Sequence, residues 1–276
     1  MQPINVMING LPGKVSTVIA RHIQGDNRFD LQPLSLTGPE IEDATCMVGP
    51  LEVKLIKPDN REAALAGACE KTAPCIVVDF THPSAVNDNA ACYCRCNLPF
   101  VMGTTGGDRA ALVKIVESSQ TAAVIAPNMA KQIVGFQAMM EWASSTFPGL
   151  FKGYTLTIKE SHQQGKADTS GTAKAMVGYF NHLGIDFSAD DIEMERNPER
   201  QAGLWGIPEA YLGGHGWHTY SLVSGDQTVT FAFTHNVNGR DIYAQGTMDA
   251  IVFLEKKLRS GQTGKVFSMI DVLKGL

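Results

Sequence analysis

Short, continuously apolar segments alternate with segments of helical periodicity through the first half of the chain. The first kind is typical of strands buried on both faces, and the second of amphipathic helices. The predicted strands are residues 4–8, 31–36, 51–56, 75–80, 100–102 and 122–126. Helices are predicted over residues 15–23 and 84–96, the second with Ser84 as N-cap. Two further predicted helices are capped by Asp59 and Asp108 and run to Glu70 and Ser119, respectively. This alternation predicts an α/β fold with a Rossmann-like, doubly wound parallel sheet.

The pattern changes after Pro127 and Asn128. Residues 154–161 alternate strictly between apolar and polar side chains, which predicts a strand with one covered face. Two more predicted strands, 218–223 and 228–235, flank Ser224-Gly225-Asp226-Gln227, a sequence typical of a hairpin turn. Helices are predicted over residues 132–145, 170–183, 247–258 and 266–273. The second half is therefore predicted to contain an α+β region with a mainly antiparallel sheet.

Composition narrows the class of protein. The chain has 276 residues, of which 44% are hydrophobic and 18% charged, and its formal net charge is −5. Lys and Arg do not cluster as they would in a protein that coats nucleic acid. No apolar run approaches the ~20 residues that cross a bilayer, and a strand is predicted from Ile4, so no membrane span or targeting peptide is expected. The 6 cysteines favour a reducing compartment over a secreted disulfide scaffold.

A glycine-rich turn, residues 10–16 (GLPGKVS), follows the first predicted strand and opens the first predicted helix. A tight turn needs Gly10, and Gly13 would let the backbone approach a pyrophosphate whose charge is held by the helix N-terminus. The spacing departs from the common G-x-G-x-x-G, because Ser16 stands in place of the third glycine. A strand–helix turn that binds nothing is the alternative interpretation.

Three more predicted strands end in short loops that would lie at the same edge of the sheet. They are Asp79-Phe80-Thr81, Gly103-Thr104-Thr105-Gly106 and Pro127-Asn128-Met129. Since ligands of open α/β sheets bind at the carboxyl ends of strands, these loops favour a nucleotide site. The second predicted strand ends at Thr37 without an acidic residue at its tip, although Glu40 is close. An NAD-specific site usually carries an acid there and Lys14 can neutralise a 2′-phosphate, so NADPH is favoured, with NADH also used.

Residues 160–173 (ESHQQGKADTSGTA) are the most specific stretch of the chain. His162 and Lys166 lie in a predicted loop where both can face a cleft. Ser170, Gly171 and Thr172 place a hydroxyl cap and backbone amides at the start of a predicted helix, which suits a carboxylate. An ordinary surface loop with a solvated lysine is the alternative.

Taken in order, these motifs resemble the 4-hydroxy-tetrahydrodipicolinate reductase (dihydrodipicolinate reductase) family of lysine and diaminopimelate biosynthesis. The resemblance covers nearly the whole chain. It rests on residues 10–16, 79–81, 103–106, 127–128 and 162–172. It is closest to the plant-type branch, as residues 101–109 (VMGTTGGDR), 160–163 (ESHQ) and 235–240 (HNVNGR) indicate.

The resemblance implies an oxidoreductase that reduces a cyclic dicarboxylate, 4-hydroxy-tetrahydrodipicolinate, to tetrahydrodipicolinate with NAD(P)H and loss of water. It implies that His162 and Lys166 are catalytic, with Lys166 as the proton donor. The unperturbed pKa of histidine near 6.5 would let His162 exchange protons near neutrality. The implied substrate-binding residues are Gln163, Lys166, Ser170, Gly171 and Thr172. The implied cofactor-binding residues are Gly10, Leu11, Pro12, Gly13, Lys14, Val15, Thr37, Phe80, Thr81, Gly103, Thr104, Thr105, Ala126, Pro127, Asn128 and Met129.

The resemblance also implies two domains. Residues 1–129 with 241–276 would bind the dinucleotide, and residues 130–240 would bind the substrate and form a homo-oligomer, a dimer or a tetramer. No metal ion, nucleic acid or membrane is expected as a partner. The expected location is the plastid stroma for a plant or algal source and the cytoplasm for a bacterial one.

The sequence departs from the family's pattern in three places. Ser16 replaces the third glycine of the turn. Gln163 stands where the bacterial branch has a second histidine, and only Thr169 separates Asp168 from Ser170, where the bacterial loop is one residue longer. The last two departures agree with the plant-type branch, and they leave the substrate contacts around Gln163 open.

Two other functions remain as alternatives. Another two-domain dehydrogenase of aspartate-derived metabolism, such as a semialdehyde dehydrogenase, needs a nucleophilic cysteine at a cofactor-facing turn, a context that none of the cysteines has. A nucleotide-sensing regulatory protein on the same fold need not keep His162 and Lys166 together. Cys92, Cys94 and Cys96 are interpreted as small buried side chains rather than zinc ligands. Structural or interface roles are expected for His215, His218 and His235.

Overall fold

The computed structural model describes residues 2–69 and 75–275. The chain divides into two compact units. Met1–Lys131 and Asp241–Leu276 form the first unit, and Gln132–Arg240 forms the second. No helix in the described part of the chain is long and apolar enough to cross a membrane.

The first unit is an α/β structure. Its strands are β1 (Ile4–Asn9), β2 (Phe29–Leu31), β3 (Leu34–Leu36), β4 (Thr45–Val48), β5 (Leu51–Ile56), β6 (Ile76–Asp79), β7 (Phe100–Met102), β8 (Ala122–Ile125) and β13 (Lys265–Phe267). Its helices are α1 (Lys14–Gln24), α2 (Arg61–Cys69), α3 (Val86–Arg95), α4 (Arg109–Glu117), α8 (Asp241–Arg259) and α9 (Met269–Lys274). Six of the strands form one sheet in the order β13-β8-β7-β6-β1-β2, and each neighbouring pair is parallel. The predicted Rossmann-like sheet is confirmed.

Burial explains why the central strands form. Every residue of β6 and β7 is buried, as expected for strands covered by helices on both faces. Val77, Phe100 and Met102 pack with Tyr93 of α3 in one apolar cluster. The carboxyl ends of these strands are therefore held by a close-packed core, which gives the loops that follow them fixed starting points.

The prediction of one strand over residues 31–36 is wrong, since β2 and β3 belong to different sheets. The Gln32 amide makes the last bond to β1, at the Val6 carbonyl, and Pro33 has no N–H to continue that pairing. β3 instead joins a three-stranded sheet in the order β3-β5-β4. β4, which the sequence analysis did not predict, pairs antiparallel with β5.

Several predicted helix boundaries also shift. Asp59 lies inside a 3₁₀ turn, Pro58–Asn60, that leads directly into α2, and Glu70 lies outside the described residues. The predicted cap at Ser84 is wrong, because a second 3₁₀ turn, Pro83–Ala85, precedes α3. The residue that caps this turn is His82, whose ring accepts a hydrogen bond from the Ser84 amide. Asp108 does cap α4, accepting from the Ala111 amide at 3.0 Å.

The last two predicted helices differ from the structure as well. The helix expected over residues 247–258 begins earlier, at Asp241. Residues 266–273 are not one helix, because β13 ends at Phe267 and α9 begins after Ser268. Ser268 and Asp271 form a capping box, a strong signal for a new helix start at that point.

The second unit is built on a four-stranded sheet. Its strands are β9 (Tyr154–His162), β10 (Glu193–Glu195), β11 (His215–Ser224) and β12 (Thr230–Asn238), in the order β10-β9-β11-β12. Its helices are α5 (Lys131–Thr146), α6 (Gly171–His182) and α7 (Pro198–Gly203). β11 pairs antiparallel with β9 and β12, which confirms the mainly antiparallel sheet, and the unpredicted β10 pairs parallel with β9. Ile158, Met176, Phe180 and Tyr220 are fully buried in its core.

Candidate active site

A cleft of about 890 Å³ opens at the carboxyl ends of β1, β3 and β6 in the first unit. Several predicted cofactor-binding residues line it: Gly10, Leu11, Pro12, Gly13, Thr37, Phe80 and Thr81. Glu40, Arg61 and Asn89 line it too, and none of these was a predicted site residue. Its volume lies within the roughly 300–1,000 Å³ of typical ligand sites.

The turn between β1 and α1 leaves no room for side chains at its two glycines. Gly10 has φ of +97°, and a Cβ there would collide with the Phe80 carbonyl. A Cβ at Gly13 would lie 2.7 Å from the Gly10 carbonyl oxygen. Gly13 was predicted to let the backbone approach a pyrophosphate. In the structure, the close packing of the turn itself already requires a glycine at this position. Lys14, exposed, begins α1, so a lysine and the helix N-terminus follow the turn directly.

Ser16 shows why the third glycine can be absent. Its buried hydroxyl lies 3.3 Å from the carbonyl oxygen of Asn9 and 3.4 Å from that of Phe80. Its single proton is shared between these two carbonyls, one at the end of β1 and one just after β6, so the hydroxyl ties α1 to both strands. A side chain that forms these bonds replaces the close backbone packing that a glycine would give.

A buried carboxylate holds the loops after β6 and β7. Asp79 is fully buried, and its Oδ1 accepts hydrogen bonds from the Thr81 amide (3.0 Å), the Thr81 hydroxyl (2.8 Å) and the Thr104 hydroxyl (2.6 Å). Its Oδ2 accepts from the Tyr93 hydroxyl at 2.6 Å and the Asn89 amide at 3.1 Å. Two predicted cofactor-binding residues, Thr81 and Thr104, are thus fixed by one group.

Asn9 extends this network to β3. Its side-chain amide donates to the Tyr93 hydroxyl at 2.7 Å, and its Oδ1 accepts from the Leu36 amide at 2.8 Å. The ends of β1, β3, β6 and β7 are consequently linked through side chains. Asp79 was predicted only as part of a loop motif, and Asn9 and Tyr93 were not predicted as site residues. No local sequence pattern shows that these three side chains meet.

The remaining predicted cofactor-binding residues follow β7 and β8, two neighbours in the sheet. The Thr104 hydroxyl accepts from the Thr81 amide at 2.9 Å, so the loops after β6 and β7 touch. Gly103 is buried against the Phe80 ring, and Thr105 is exposed. After β8, Ala126 and Met129 are buried, and the Asn128 side chain accepts from the Ala130 amide at 2.9 Å. Val15, in the first turn of α1, is half-buried.

The tip of β3 carries an acidic group in the folded chain. The carboxylate of Glu40 lies against the Cα of Gly38, where a Cβ would collide with both carboxylate oxygens. Beside it, the Thr37 hydroxyl donates to the Leu11 carbonyl at 2.7 Å. The sequence shows only that Glu40 is close along the chain, and the structure brings its carboxylate to the tip itself.

In the second unit, His162 is the last residue of β9 and not part of the loop in which the sequence analysis placed it. Its ring Nδ1 lies 3.1 Å from the His215 carbonyl oxygen on the paired strand β11. A carbonyl only accepts, so Nδ1 carries the proton of the neutral ring and Nε2 is left with its lone pair. Its own carbonyl accepts from the Gln201 side-chain amide at 2.7 Å.

Glu160 is the fully buried charge beside His162. Its Oε1 pairs with the Arg196 guanidinium at 2.5 Å, and its Oε2 accepts from the Ser170 amide at 3.1 Å. The same Oε2 lies 3.6 Å from Nε2 of His218 and 3.9 Å from Nε2 of His162. Burial alone would raise the pKa of Glu160, but the attraction of the nearby His218 ring and of the Arg196 guanidinium outweighs it and lowers the pKa to about 2.

His162 is neutral near neutral pH. Burial, and after it the charge of His218, lower the pKa of His162 to about 4. The expectation that this ring exchanges protons near neutrality is therefore wrong, because it was based on the pKa of a solvated histidine. In the folded chain at pH 7 the neutral ring donates from Nδ1 to the His215 carbonyl and keeps a lone pair on Nε2 that can accept a hydrogen bond.

Lys166 and the start of α6 belong to the same stretch of the chain, residues 160–173. The Lys166 ammonium donates to the exposed Asp168 carboxylate at 2.8 Å, and its carbonyl accepts from Arg196 Nε at 2.8 Å. Ser170 caps α6 by accepting from the Thr172 amide at 3.2 Å, as predicted. The Ser170 amide is not free for a ligand, since it already donates to Glu160, whereas a Cβ at Gly171 would meet nothing within 4 Å.

Glu160 and Arg196 are site residues that the sequence analysis missed as a pair. Glu160 appeared there only as the first letter of a motif, and Arg196 did not appear. Arg196 directly follows β10, whose Glu195 pairs with Ser161 of β9. The unpredicted strand therefore delivers the guanidinium to the buried carboxylate, and a strand of three residues gives almost no periodic signal.

Comparison with known proteins assigns the chain to a family. Residues 4–129 match the family described as dihydrodipicolinate reductase, N-terminus, and residues 133–273 match dihydrodipicolinate reductase, C-terminus. The chain belongs to the dihydrodipicolinate reductase family. The resemblance found in the sequence is confirmed, and the chain is an oxidoreductase of a family that uses a nicotinamide cofactor.

Two plant relatives of the family cover almost the whole chain. The chain is 46% identical over 271 residues to 4-hydroxy-tetrahydrodipicolinate reductase 2, chloroplastic, of Arabidopsis thaliana, covering 98% of this chain and 77% of that protein. It is 43% identical over 269 residues to the probable 4-hydroxy-tetrahydrodipicolinate reductase 2, chloroplastic, of Oryza sativa subsp. japonica, covering 98% and 82%. Both relatives support the plant-type branch.

A solved structure shows the same fold. Dipicolinate-bound dihydrodipicolinate reductase from Paenisporosarcina sp. TG-14 aligns with a TM-score of 0.66 at 17% identity and covers 98% of each chain. At this identity the match supports the two-part architecture and carries no residue roles.

Proposed function

We propose that this protein reduces 4-hydroxy-tetrahydrodipicolinate to tetrahydrodipicolinate in lysine and diaminopimelate biosynthesis. Substrate, reduced nicotinamide cofactor and one proton give product, oxidised cofactor and water. The observation that carries the proposal is the grouping of His162 and the capped start of α6 around the buried Glu160 carboxylate, with the Lys166 backbone joined to that carboxylate through Arg196. The names of the plant relatives support the same reaction.

The first unit is proposed to hold the cofactor. Its fit rests on the cleft of about 890 Å³, on the absence of side chains at Gly10 and Gly13 of the turn, and on the start of α1. A pyrophosphate is held at such a turn by backbone amides and by the helix N-terminus. When bound, the nicotinamide supplies the hydride. The predicted residues of the loops after β6, β7 and β8 are proposed to contact it.

NADPH is proposed as the preferred cofactor, with NADH also used. Lys14 at the start of α1 and Arg61 in the cleft are cations suited to a 2′-phosphate. The Glu40 carboxylate in the same cleft acts in the opposite direction, because it repels a phosphate and accepts a hydrogen bond from a ribose hydroxyl. These opposing charges are the reason that we propose tolerance of both cofactors.

The second unit is proposed to bind the dicarboxylate and to supply the proton. Lys166 is the proposed donor, since its ammonium binds an anion and carries a transferable proton. His162, neutral at pH 7, is proposed to orient the substrate through Nε2 rather than to lose or gain a proton. Ser170, Gly171 and Thr172 are proposed to bind a substrate carboxylate, with Gly171 leaving open space for it.

Homo-oligomer formation is proposed to use β12. This strand lies at the edge of the sheet, and most of its residues are exposed, including the aromatic ring of Phe231. An unpaired edge with exposed apolar side chains is a surface that proteins normally cover. Sedimentation of the protein and of a Phe231→Lys variant tests this, because only an oligomer built on β12 should lose mass in the variant.

The decisive test of function is an optical assay. The protein is supplied with NADPH and the condensation product of pyruvate and aspartate semialdehyde, and oxidation of the cofactor is followed. Turnover that depends on both components supports the proposal. Oxidation only with a different carbonyl or imine substrate would overturn it.

The alternative of a semialdehyde dehydrogenase is disfavoured by the cysteines. Burial raises the pKa values of the Cys46, Cys92 and Cys94 thiols, which is the opposite of activation. Cys92 and Cys94 are buried side chains of α3, as predicted, whereas Cys96 follows the helix and is only half-buried.

A further inference from the structure

Three potential metal ligands meet at the carboxyl end of β9. Glu160 and His162 come from β9 and His218 from the paired strand β11, and their ligand atoms all lie within 4.8 Å of one another. Glu160 and His218 are one register pair of the two antiparallel strands. The sheet itself therefore sets the spacing of the three groups, and no loop has to fold over to assemble them.

The Nε2 atoms of His162 and His218 lie close to the Glu160 carboxylate but beyond hydrogen-bond distance of it. Among the described residues, Nε2 of His162 and both ring nitrogens of His218 are buried without a hydrogen-bond partner. The His218 side chain is only 5% exposed. Buried nitrogen atoms without partners cost free energy, so an arrangement of this kind calls for a bound group.

The tautomer of His162 also favours a bound cation. Its Nδ1–H donates to the His215 carbonyl, so the lone pair of Nε2 faces the anionic Oε2 of Glu160 at 3.9 Å. Two acceptors facing each other are unfavourable unless a cation lies between them. The bond from Nδ1–H to a backbone carbonyl is also the second-shell contact that metal-binding histidines usually make.

The charges around the site allow a metal ion. Arg196 binds Oε1 of Glu160, whereas Oε2 accepts from the Ser170 amide and also faces the two histidines, so the guanidinium does not occupy the oxygen atom that would bind a metal ion. Zinc-type ions take imidazole nitrogen at about 2.0–2.1 Å and carboxylate oxygen at about 2.0–2.2 Å, which places tetrahedral ligand atoms roughly 3.3 Å apart. Oε2 lies 3.6 Å and 3.9 Å from the two histidine nitrogens, and all three ligand atoms lie within 4.8 Å of one another, so side-chain movements would have to bring them closer around an ion.

We propose that Glu160, His162 and His218 form a binding site for a divalent transition-metal ion of the zinc class, with a fourth position open. Two imidazoles and one carboxylate are a donor set typical of zinc, and the same set is too nitrogen-rich for Mg²⁺ or Ca²⁺. No metal ion was expected from the sequence, in which Glu160 and His218 are 58 positions apart and only the pairing of β9 with β11 brings them together.

Binding is tested on the untagged full chain with Co²⁺, whose four-coordinate complexes absorb strongly in the visible range, and with Zn²⁺ as competitor. We expect one Co²⁺ per chain with this absorption, and its loss on adding one equivalent of Zn²⁺. His218→Gln and His162→Gln should each weaken Zn²⁺ binding by at least about 100-fold, since a lost ligand costs more than a lost second-shell contact.

Two control variants separate the site from other histidines. His235 stacks on the His218 ring at 4.6 Å between centroids but supplies no ligand atom, and His22 is paired with Asp241 in the other unit. His235→Gln and His22→Gln should bind as the parent protein does. Far-ultraviolet circular dichroism and the midpoint of thermal unfolding report that each variant is folded.

The result that overturns the proposal is the absence of one-to-one binding in the parent protein, or equal loss in the control variants. Because no substrate or cofactor is needed, this outcome is separate from any failure of the proposed reaction. A further consequence rests on the proposed function. Zinc would occupy Nε2 of His162, so Zn²⁺ should inhibit the reductase reversibly, and a chelator should restore it.

Discussion

The hydroxyl of Tyr93 donates a 2.6 Å hydrogen bond to the carboxylate of Asp79, and both side chains are fully buried. Burial and the charge of Asp79 hold the pKa of Tyr93 well above its usual range, so the phenol stays protonated and remains a donor. The carboxylate in turn orders Thr81 and Thr104. The geometry of the proposed cofactor site therefore depends on a bond that contacts no cofactor.

Tyr93→Phe should destabilise the first unit. The change removes a hydrogen bond to a charged group, which contributes about 1.5–3 kcal/mol, and leaves the Asn9 amide without its acceptor. We expect a lower midpoint of thermal unfolding and a higher KM for NADPH, measured by calorimetry and steady-state kinetics. Tyr211→Phe is the matched control, because the Tyr211 side chain is 40% exposed. An unchanged midpoint in Tyr93→Phe would contradict the role given to this bond.

The elements predicted well are those whose signal is local. β6 and β7 lie in continuous apolar segments because both of their faces are buried. Asp108 directly precedes α4, and its side chain caps that helix. The glycine turn and the segment from His162 to Thr172 were recognised because their chemistry lies in consecutive residues. In each case the sequence near one position determines the structure at that position.

The elements predicted poorly depend on distant partners. Residues 31–36 suggested one strand, and only the separate pairing of β2 with β1 and of β3 with β5 divides them. The pairing of Glu160 with Arg196 depends on a three-residue strand, β10. The neutral state of His162 follows from burial and from His218, neither of which is visible in the residues next to it.

The buried histidines should make stability depend on pH. The pKa values of His162 and His235 are lowered to about 4, mainly by burial, from about 6.5 in an unfolded chain. The unfolded state then binds more protons between pH 6.5 and 4, so stability falls as pH falls through that window. Glu160, whose pKa is lowered to about 2, continues this loss below pH 4.5.

We expect the unfolding midpoint to drop by roughly 4–8 °C between pH 7 and pH 5. His235→Gln should flatten this dependence, since glutamine does not titrate. His182→Gln, a change at an exposed histidine of α6, should leave it unchanged. Calorimetry at fixed ionic strength measures all three proteins, and parallel curves for the parent and His235→Gln would refute the linkage.

Lys166→Ala should impair both binding and turnover. Loss of a charge-assisted contact in a partly buried site corresponds to a roughly 10- to 100-fold higher KM for the dicarboxylate. Loss of a general acid lowers kcat by a further ~10²–10⁴-fold. Lys166→Arg keeps the charge but does not release a proton, so KM should recover more than kcat. Near-normal turnover in Lys166→Ala would remove this residue from the proposed mechanism.

Asp168→Asn is the companion variant for Lys166. It keeps the ammonium and removes the exposed carboxylate that accepts its hydrogen bond at 2.8 Å. An anionic substrate no longer competes with Asp168, so KM for the dicarboxylate should fall a few-fold. A higher KM would show that Asp168 positions Lys166 rather than shielding it.

Glu40→Gln should move cofactor preference toward NADPH. The Glu40 carboxylate lies at the tip of β3 in the cleft, and its removal relieves repulsion of a 2′-phosphate. An exposed charge of this kind contributes little, so we expect the ratio of kcat/KM for NADPH over NADH to rise by roughly fivefold. Glu42→Gln, at an exposed position two residues further on, is the control. Equal ratios in the parent and Glu40→Gln would place the ribose elsewhere.

Two glycine-to-alanine changes distinguish a glycine that the turn needs from one that it does not. At Gly13 a Cβ would lie 2.7 Å from the Gly10 carbonyl oxygen, closer than such atoms approach, so Gly13→Ala must displace the turn. We expect a lower unfolding midpoint together with weaker NADPH binding, because the backbone segment that closes the turn is also the one proposed to contact the cofactor. At Gly178, an exposed position inside α6, a Cβ meets nothing within 4 Å.

Gly178→Ala should therefore stabilise the protein by roughly 0.5–1 kcal/mol, the usual gain in a helix interior, and leave NADPH binding unchanged. Calorimetry and NADPH titration on both variants separate the contributions. If Gly13→Ala weakened NADPH binding at an unchanged midpoint, the glycine would serve only the approach of the pyrophosphate. If both properties fell together, as the contact with the Gly10 carbonyl requires, the conformation of the turn and the affinity for the cofactor would be one property of the same backbone.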